Sequence, residues 1–234
     1  MKMNSNSVVI VTGTSSGLGL VTANSLLNQN FIIIGIDVQS GIIEHQNYTH
    51  LKMNLAAFEF NQIQEMVKNQ NWFGFIHCAA ISQGSKLDAL SIEDWNHSMD
   101  VNVTSAMLIC QLAESHMMDG GRIVLVGSPV AFAGANKPSY AASKAALHGL
   151  TMSISRQLGK RGICVNTVLP GPMITGMTKD WSEEKRNRIA EETRLNRLAR
   201  PEDIAHVMAQ MMGEEWSYMS ASIVDMTCGS MFGH

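Results

Sequence analysis

Apolar residues in this chain gather in short unbroken runs. VVIVTG at 8–13, FIIIGID at 31–37, FGFIHCA at 73–79, GRIVLVG at 121–127, ICVNTVLP at 163–170 and SIVDM at 222–226 are rich in β-branched residues, and a weaker run, THLKMN, covers 49–54. Runs of this kind, without polar alternation, are strands buried on both faces, as in a parallel sheet covered by helices. Helical segments lie between them: Leu18 to Asn28, Phe58 to Asn69, and a long one from Ser91 towards Met118. Ser91 followed by Asp94 is a helix-start pattern, and Pro201 suits the first turn of PEDIAHVMAQMM at 201–212. The alternation predicts an α/β fold, a single-domain doubly wound (Rossmann-type) parallel sheet flanked by helices, over 1–234.

Composition narrows the function. A chain of 234 residues with 45% hydrophobic residues can bury a core without staples. Net charge is −3 and no basic run stands out, so neither nucleic acid nor an anionic membrane surface is the expected partner. No apolar stretch approaches the roughly 20 residues of a membrane span. MKMNSNSVVIVTG lacks the long apolar region and cleavage site of a signal peptide, and a cytoplasmic location is expected. Cys78, Cys110, Cys164 and Cys228 are too far apart for metal-ligand spacing, so no metal site is predicted and the thiols read as reduced.

VVIVTG runs straight into TSSGLG and then a helical segment, with Gly13, Gly17 and Gly19 in the turn. A strand, a tight turn and a helix N-terminus make an anion site, because free backbone N–H groups and the helix dipole point at it. Gly17 and Gly19 let a pyrophosphate approach the backbone and the helix pack on the strand. The second strand ends in Asp37, near the spacing of about 20 residues expected for a carboxylate on the adenosine ribose. That carboxylate repels a 2′-phosphate, and no Arg or Lys stands in TSSGLG or in Val-Gln-Ser after Asp37. NAD is the expected cofactor.

SYAASKAAL at 139–147 places Tyr140 and Lys144 four apart, on one face of a helix otherwise made of small residues. An ammonium ~5 Å from the phenol at an effective dielectric of ~20 would favour phenolate by roughly 3 kcal/mol, about two pKa units. The expectation is a tyrosine drawn down from its ordinary pKa near 10 towards a working base.

Taken together, TGTSSGLG, Asp37, Ser128 after GRIVLVG, YAASK, VNTVLPGPMIT at 165–175 and RPEDIA at 200–205 resemble the short-chain dehydrogenase/reductase family. The resemblance runs through nearly the whole chain. It implies Tyr140 as general acid/base and Lys144 as the group that lowers the tyrosine pKa and holds the nicotinamide ribose. Ser128 would orient the substrate oxygen. Asn102, in DVNVTS, would kink its helix and hold a proton-relay water. Ser15, Ser16 and Leu18 join the three glycines in the cofactor surface, with Val38 beside Asp37, Asn54 and Leu55 at the adenine, and Ala79 at the ribose. Pro170 and Gly171 match the turn beside the nicotinamide, Met173 and Thr175 the positions that bind its carboxamide.

Departures from the family pattern are local. His77-Cys78-Ala79-Ala80 replaces Asn-Asn-Ala-Gly; adjacent strand residues point to opposite faces, so His77 and Cys78 are poor joint metal ligands and read as structural filling. Asn54 stands for the usual aspartate and would reach the adenine amino group through its oxygen. Thr227-Cys228-Gly229 replaces Asp-Gly-Gly. Ser128 and Tyr140 are twelve positions apart, where the family more often shows thirteen. Residues 176–200, with the charged run SEEKRNRIAEETR, match the family's lid. Met173, Met177, Trp181, Val130 and Phe132 suggest a small-to-medium, largely uncharged alcohol or ketone. The family also implies a homo-oligomer, a tetramer or dimer. Two alternatives share the scaffold: an NADPH-dependent ketoacyl-type reductase, opposed by Asp37, and a non-catalytic NAD-binding regulator, opposed by the intact Tyr–Lys–Ser–Asn set.

Overall fold

A computed structural model describes residues 6–232. The strands are β1 (Val8–Thr12), β2 (Ile32–Asp37), β3 (Tyr48–Lys52), β4 (Trp72–His77), β5 (Arg122–Val126), β6 (Cys164–Pro170) and β7 (Ser222–Met226). Among the described residues they form one sheet in the order β3-β2-β1-β4-β5-β6-β7, every neighbouring pair parallel. Each apolar run of the sequence is a strand of this sheet.

The unbroken runs follow from packing on both faces. Val9 and Val11 of β1 join Leu26, Ile33, Val168, Ile204 and Met208 in one buried layer. Val8 and Ile10 join Ile63, Phe75, Ile109, Leu112, Leu147 and Val165 in the other. The first layer lies beneath α1 (Gly17–Leu27) and α8 (Pro201–Gln210); the second lies beneath α2 (Phe60–Val67), α4 (Ser105–His116) and α6 (Pro138–Leu158). Successive strand side chains alternate between these layers, so apolar residues dominate both faces, and the buried polar exceptions such as Thr12 and His77 are hydrogen-bonded to each other. Each aliphatic side chain buried this way contributes roughly 1.5–3 kcal/mol.

Helix ends follow local chemistry. Ser91 accepts the Asp94 N–H at 3.0 Å and starts α3 (Ile92–Met99). Pro138 opens α6 and Pro201 opens α8. The long helix expected from Ser91 runs as α3 and α4 joined without a break by a π-helical turn, Asp100–Thr104, which contains Asn102. Two shorter helices, α5 (Val130–Ala133) and α7 (Glu183–Glu191), flank the C-terminal ends of the strands. Among the described residues no helix is long and apolar enough to cross a membrane.

Candidate active site

β2 and β4 flank β1, so the chain departs in opposite directions from the centre of the sheet. Such a switch point opens a crevice at the carboxyl ends of the strands. Here it is a cleft of about 1360 Å³, lined by the β1–α1 turn, Asp37, residues 78–83, Ser128, Tyr140, Lys144 and residues 170–173.

At one wall, Gly13 has φ +78°, and a Cβ there would stand 3.0 Å from the Ala79 nitrogen. A Cβ on Gly19 would stand 2.2 Å from the Gly13 carbonyl oxygen, so α1 begins flush against the strand. Ser16, at the head of α1, makes no side-chain cap, and no acid occupies the first turn. An uncapped helix start beside a glycine turn, with Ser16, Gly17, Leu18 and Gly19 facing the cleft, fits the diphosphate of a dinucleotide.

Asp37 ends β2 at the cleft rim. Its Oδ2 accepts the Ser15 N–H at 3.0 Å and its Oδ1 accepts the Gln39 N–H at 2.9 Å. Each oxygen retains lone-pair capacity for a ribose hydroxyl. The neighbouring lining residues, Val38, Gln39, Met53, Asn54 and Leu55, carry no positive charge. One expectation changes here. Ser15 is buried and braces the rim, its hydroxyl donating to the Ser40 carbonyl at 3.0 Å, whereas the resemblance implies it on the cofactor surface. Asn54 lines the cleft as expected; its Oδ1 accepts the Ala56 N–H at 3.0 Å and caps a short turn, and it retains a second lone pair.

Opposite, α6 presents Tyr140 and Lys144. Ser128 is the hydrogen-bonding neighbour of the Tyr140 hydroxyl, so the loop that is one residue shorter still brings serine and tyrosine together. Lys144 Nζ lies 5.9 Å from the centre of the Tyr140 ring. The expected lowering of the tyrosine is reversed: burial raises Tyr140 above its ordinary value, and the hydrogen bond from Ser128 opposes it. Lys144 is buried as well, and burial brings it down to about 8. Dry surroundings disfavour the charged form of both groups, and this outweighs their mutual attraction.

Asn102 does not face the cleft. It is fully buried in the π turn; its Oδ1 accepts the Ile81 N–H at 2.8 Å, and its Nδ2 donates to the Ile81 carbonyl and to Ser143 Oγ, each at 2.9 Å. Ser143 in turn donates to the Tyr140 carbonyl at 2.8 Å. The side chain therefore positions the cleft wall and the tyrosine helix.

His77 and Cys78 point to opposite sides of the sheet. The Ala79 N–H donates to Thr12 Oγ1 at 3.1 Å, and Thr12 Oγ1 lies 2.9 Å from His77 Nδ1. The Val101 and Asn102 backbones are the polar neighbours of the His77 ring, and its Nε2 is buried without a hydrogen-bond partner. Burial takes His77 down to about 3, so it is a neutral strut. Cys78 packs on the α1 side, and burial pushes its thiol up to about 12.

At the nicotinamide end, Pro170, Gly171, Met173 and Thr175 all line the cleft, and Thr175 lies over Gly17. The Met173 carbonyl accepts from Thr178 Oγ1 at 2.7 Å. Val130, Trp181, Ile189 and Met231 make the substrate side largely apolar. Phe132, expected there, is 58% exposed and stacks on His148 instead, with ring centres 4.8 Å apart. The Met177 side chain lies outside the described residues. Sequence reading missed Gln39, Ile81, Ser82 and Lys137, which also line the cleft; Lys137 Nζ donates to the Ser82 carbonyl at 2.6 Å. Its position just before Pro138 and the tyrosine helix was the available signal.

A buried tyrosine and lysine beside a crevice with an uncapped glycine turn suit the chemistry of a nicotinamide-dependent oxidoreductase. A family model described as enoyl-(acyl carrier protein) reductase matches residues 13–230. The chain belongs to the short-chain dehydrogenase/reductase family. It is 30% identical over 235 residues to the 3-oxoacyl-acyl-carrier-protein reductase FabG of Rickettsia conorii, with 95% of each chain covered. It is 34% identical over 158 residues to human (3R)-3-hydroxyacyl-CoA dehydrogenase, covering 66% of this chain and 60% of the relative. Among solved structures, a short chain dehydrogenase family protein from Francisella tularensis superposes with a TM-score of 0.89 at 26% identity, covering 97% of this chain and 99% of that one.

Proposed function

We propose that this oxidoreductase interconverts a secondary alcohol and a ketone with NAD as its cofactor. The observation that carries the cofactor choice is Asp37, held at the adenosine rim by the Ser15 and Gln39 amides, with no Lys or Arg among the cleft-lining residues beside it, although Lys52 pairs with it across β2 and β3. A fixed carboxylate suits two ribose hydroxyls and repels a 2′-phosphate.

The chemistry a bound nicotinamide brings is hydride transfer at the substrate carbon. Tyr140 exchanges the proton at the substrate oxygen, giving it up in reduction and taking it in oxidation. Ser128 holds that oxygen and the phenol in line. Lys144, at the cleft floor, offers N–H donors to the ribose beside the nicotinamide. Because burial raises Tyr140, the phenol is protonated near neutral pH, which suits reduction; oxidation gains as pH rises. Residues 176–200 serve as the lid, with Trp181, Ile189 and Glu192 turned to the cleft. The protein assembles as a homo-oligomer, a tetramer or dimer.

The names of the relatives support 3-hydroxyacyl or 3-oxoacyl thioesters as the first substrates to try. They also support a second reading, an NADPH-dependent 3-oxoacyl reductase. Secondary alcohols, beginning with 3-hydroxyacyl thioesters, should be scanned with NAD and with NADP while reduced nicotinamide is followed by absorbance. Turnover with NAD supports the first reading, and turnover confined to NADP the second.

A further inference from the structure

Four polar groups link the phosphate turn to the adenosine rim by a route that neither Asp37 nor the glycines account for. Thr14 Oγ1 lies 2.9 Å from the Tyr48 hydroxyl, Tyr48 lies 2.9 Å from His50 Nδ1, and His50 Nε2 lies 2.9 Å from the Gln39 carbonyl. A carbonyl only accepts, so His50 Nε2 carries the proton. In the neutral ring Nδ1 then accepts, so Tyr48 donates to it, and Thr14 donates to Tyr48. The chain of donors runs one way, from the phosphate turn to the rim. Burial, opposed by the Thr14 hydrogen bond and reinforced by Asp37, raises Tyr48 and keeps it a phenol.

The fold makes room for this route at two glycines. A Cβ on Gly35 would stand 2.2 Å from the Tyr48 hydroxyl, and one on Gly41 would stand 2.6 Å from His50 Cγ. Tyr48 and His50 are two apart on the edge strand β3 and so lie on the same face of the sheet. The segment they reach is the one that holds the carboxylate. Gln39 gives its N–H to Asp37 and its carbonyl to His50, and the next carbonyl, Ser40, accepts from Ser15.

We infer that Tyr48 and His50 are positioning residues for cofactor choice: they fix Gln39, Gln39 fixes the Asp37 carboxylate, and the fixed carboxylate discriminates a ribose hydroxyl from a 2′-phosphate. The inference rests on the NAD reading given above. A packing role alone would fill the gap at Gly35 equally well with phenylalanine at position 48.

The test is titration of NADH and of NADPH into the full-length protein by calorimetry, which needs no substrate. Tyr48→Phe keeps the ring and removes two neutral hydrogen bonds; it should reduce the preference for NADH over NADPH by about 3- to 10-fold. His50→Ala should do the same. His50→Gln, whose amide still donates to the Gln39 carbonyl, should stay within about twofold of the parent and keeps the test sound if the alanine variant fails to fold. In an Asp37→Ala background Tyr48→Phe should change neither affinity further, because the relay acts through that carboxylate. If Tyr48→Phe weakens both dinucleotides equally, or adds its full effect to Asp37→Ala, the role is only structural and the inference is overturned. A parent protein that prefers NADPH overturns the NAD reading and the relay with it. A parent that prefers NADH, with its preference unmoved in Tyr48→Phe and His50→Ala, overturns the relay alone.

Discussion

Lys144 Nζ donates to the Val126 carbonyl at 2.7 Å and stands 5.9 Å from the centre of the Tyr140 ring. The ammonium is tied to the end of β5, and it is only 2% exposed. Keeping a charge there costs stability, a cost that would be kept for function if the same ammonium serves the nicotinamide ribose as proposed.

Lys144→Met should therefore stabilise the fold while abolishing turnover. Burial moves Lys144 from 10.5 to about 8. Between those values the unfolded chain holds more proton than the folded one, so the parent should gain stability as pH rises through that window. The methionine variant should lack this gain. At neutral pH the variant should be more stable by on the order of 3 kcal/mol, measured by chemical denaturation across the window.

Tyr140→Phe keeps the ring and removes the transferable proton. It should cost at least ~10²-fold in turnover with the fold intact. Alcohol oxidation by the parent should rise with pH, since burial lifts the phenol. Ser128→Ala should shift that rise to still higher pH, because the serine hydrogen bond is what holds the phenol down. A pH–rate profile unmoved by Ser128→Ala would contradict this arrangement.

Acid should weaken the fold through His77. Its ordinary value of 6.5 falls to about 3, mainly by burial, with Lys144 adding to the effect. As pH is lowered between these values, the unfolded chain takes up a proton the folded chain refuses, so stability falls. His77→Asn, which restores the family's residue, should flatten this loss in urea melts at several pH values.

Gly19→Ala should be poorly tolerated. The added Cβ would meet the Gly13 carbonyl oxygen at 2.2 Å, and backbone on both sides leaves nothing soft to yield. Overpacking of this kind costs typically about 1–3 kcal/mol. A thermal melt should report that loss, and calorimetry should show weakened NADH binding as α1 is pushed off the strand end.

Self-association should use the outer faces of α4 and α6. Met107 is 38% exposed and Met152 is 42% exposed, high for large apolar side chains. Light scattering should return the mass of a tetramer or dimer. Met107→Glu with Met152→Glu should lower it, and a monomeric parent would refute the assembly.

Much of the fold is legible in the sequence because its causes are local. Unbroken β-branched runs mark strands buried on both faces. Gly13 and Gly19 mark a turn where side chains would crowd backbone, and Gly17 has a φ of +53° that favours glycine. Tyr140 and Lys144 share a face because a helix repeats near four residues. Each leaves a mark in a short stretch of sequence, even where, as at Gly13 beside Ala79, the contact that requires it is remote.

Other features were decided by tertiary structure alone. Asn102 finds Ile81, 21 positions away, and so leaves the cleft. Ser15 finds Asp37 at 22 positions and becomes a brace. Thr14 finds Tyr48 at 34, which no motif announces. The direction of the Tyr140 shift belongs here too. Sequence spacing supplies the lysine that would draw the proton off, but burial is a property of the packed molecule. Removing water from both groups disfavours each charge more than their separation lets them attract, so the packed molecule sets the sign that the sequence alone had reversed.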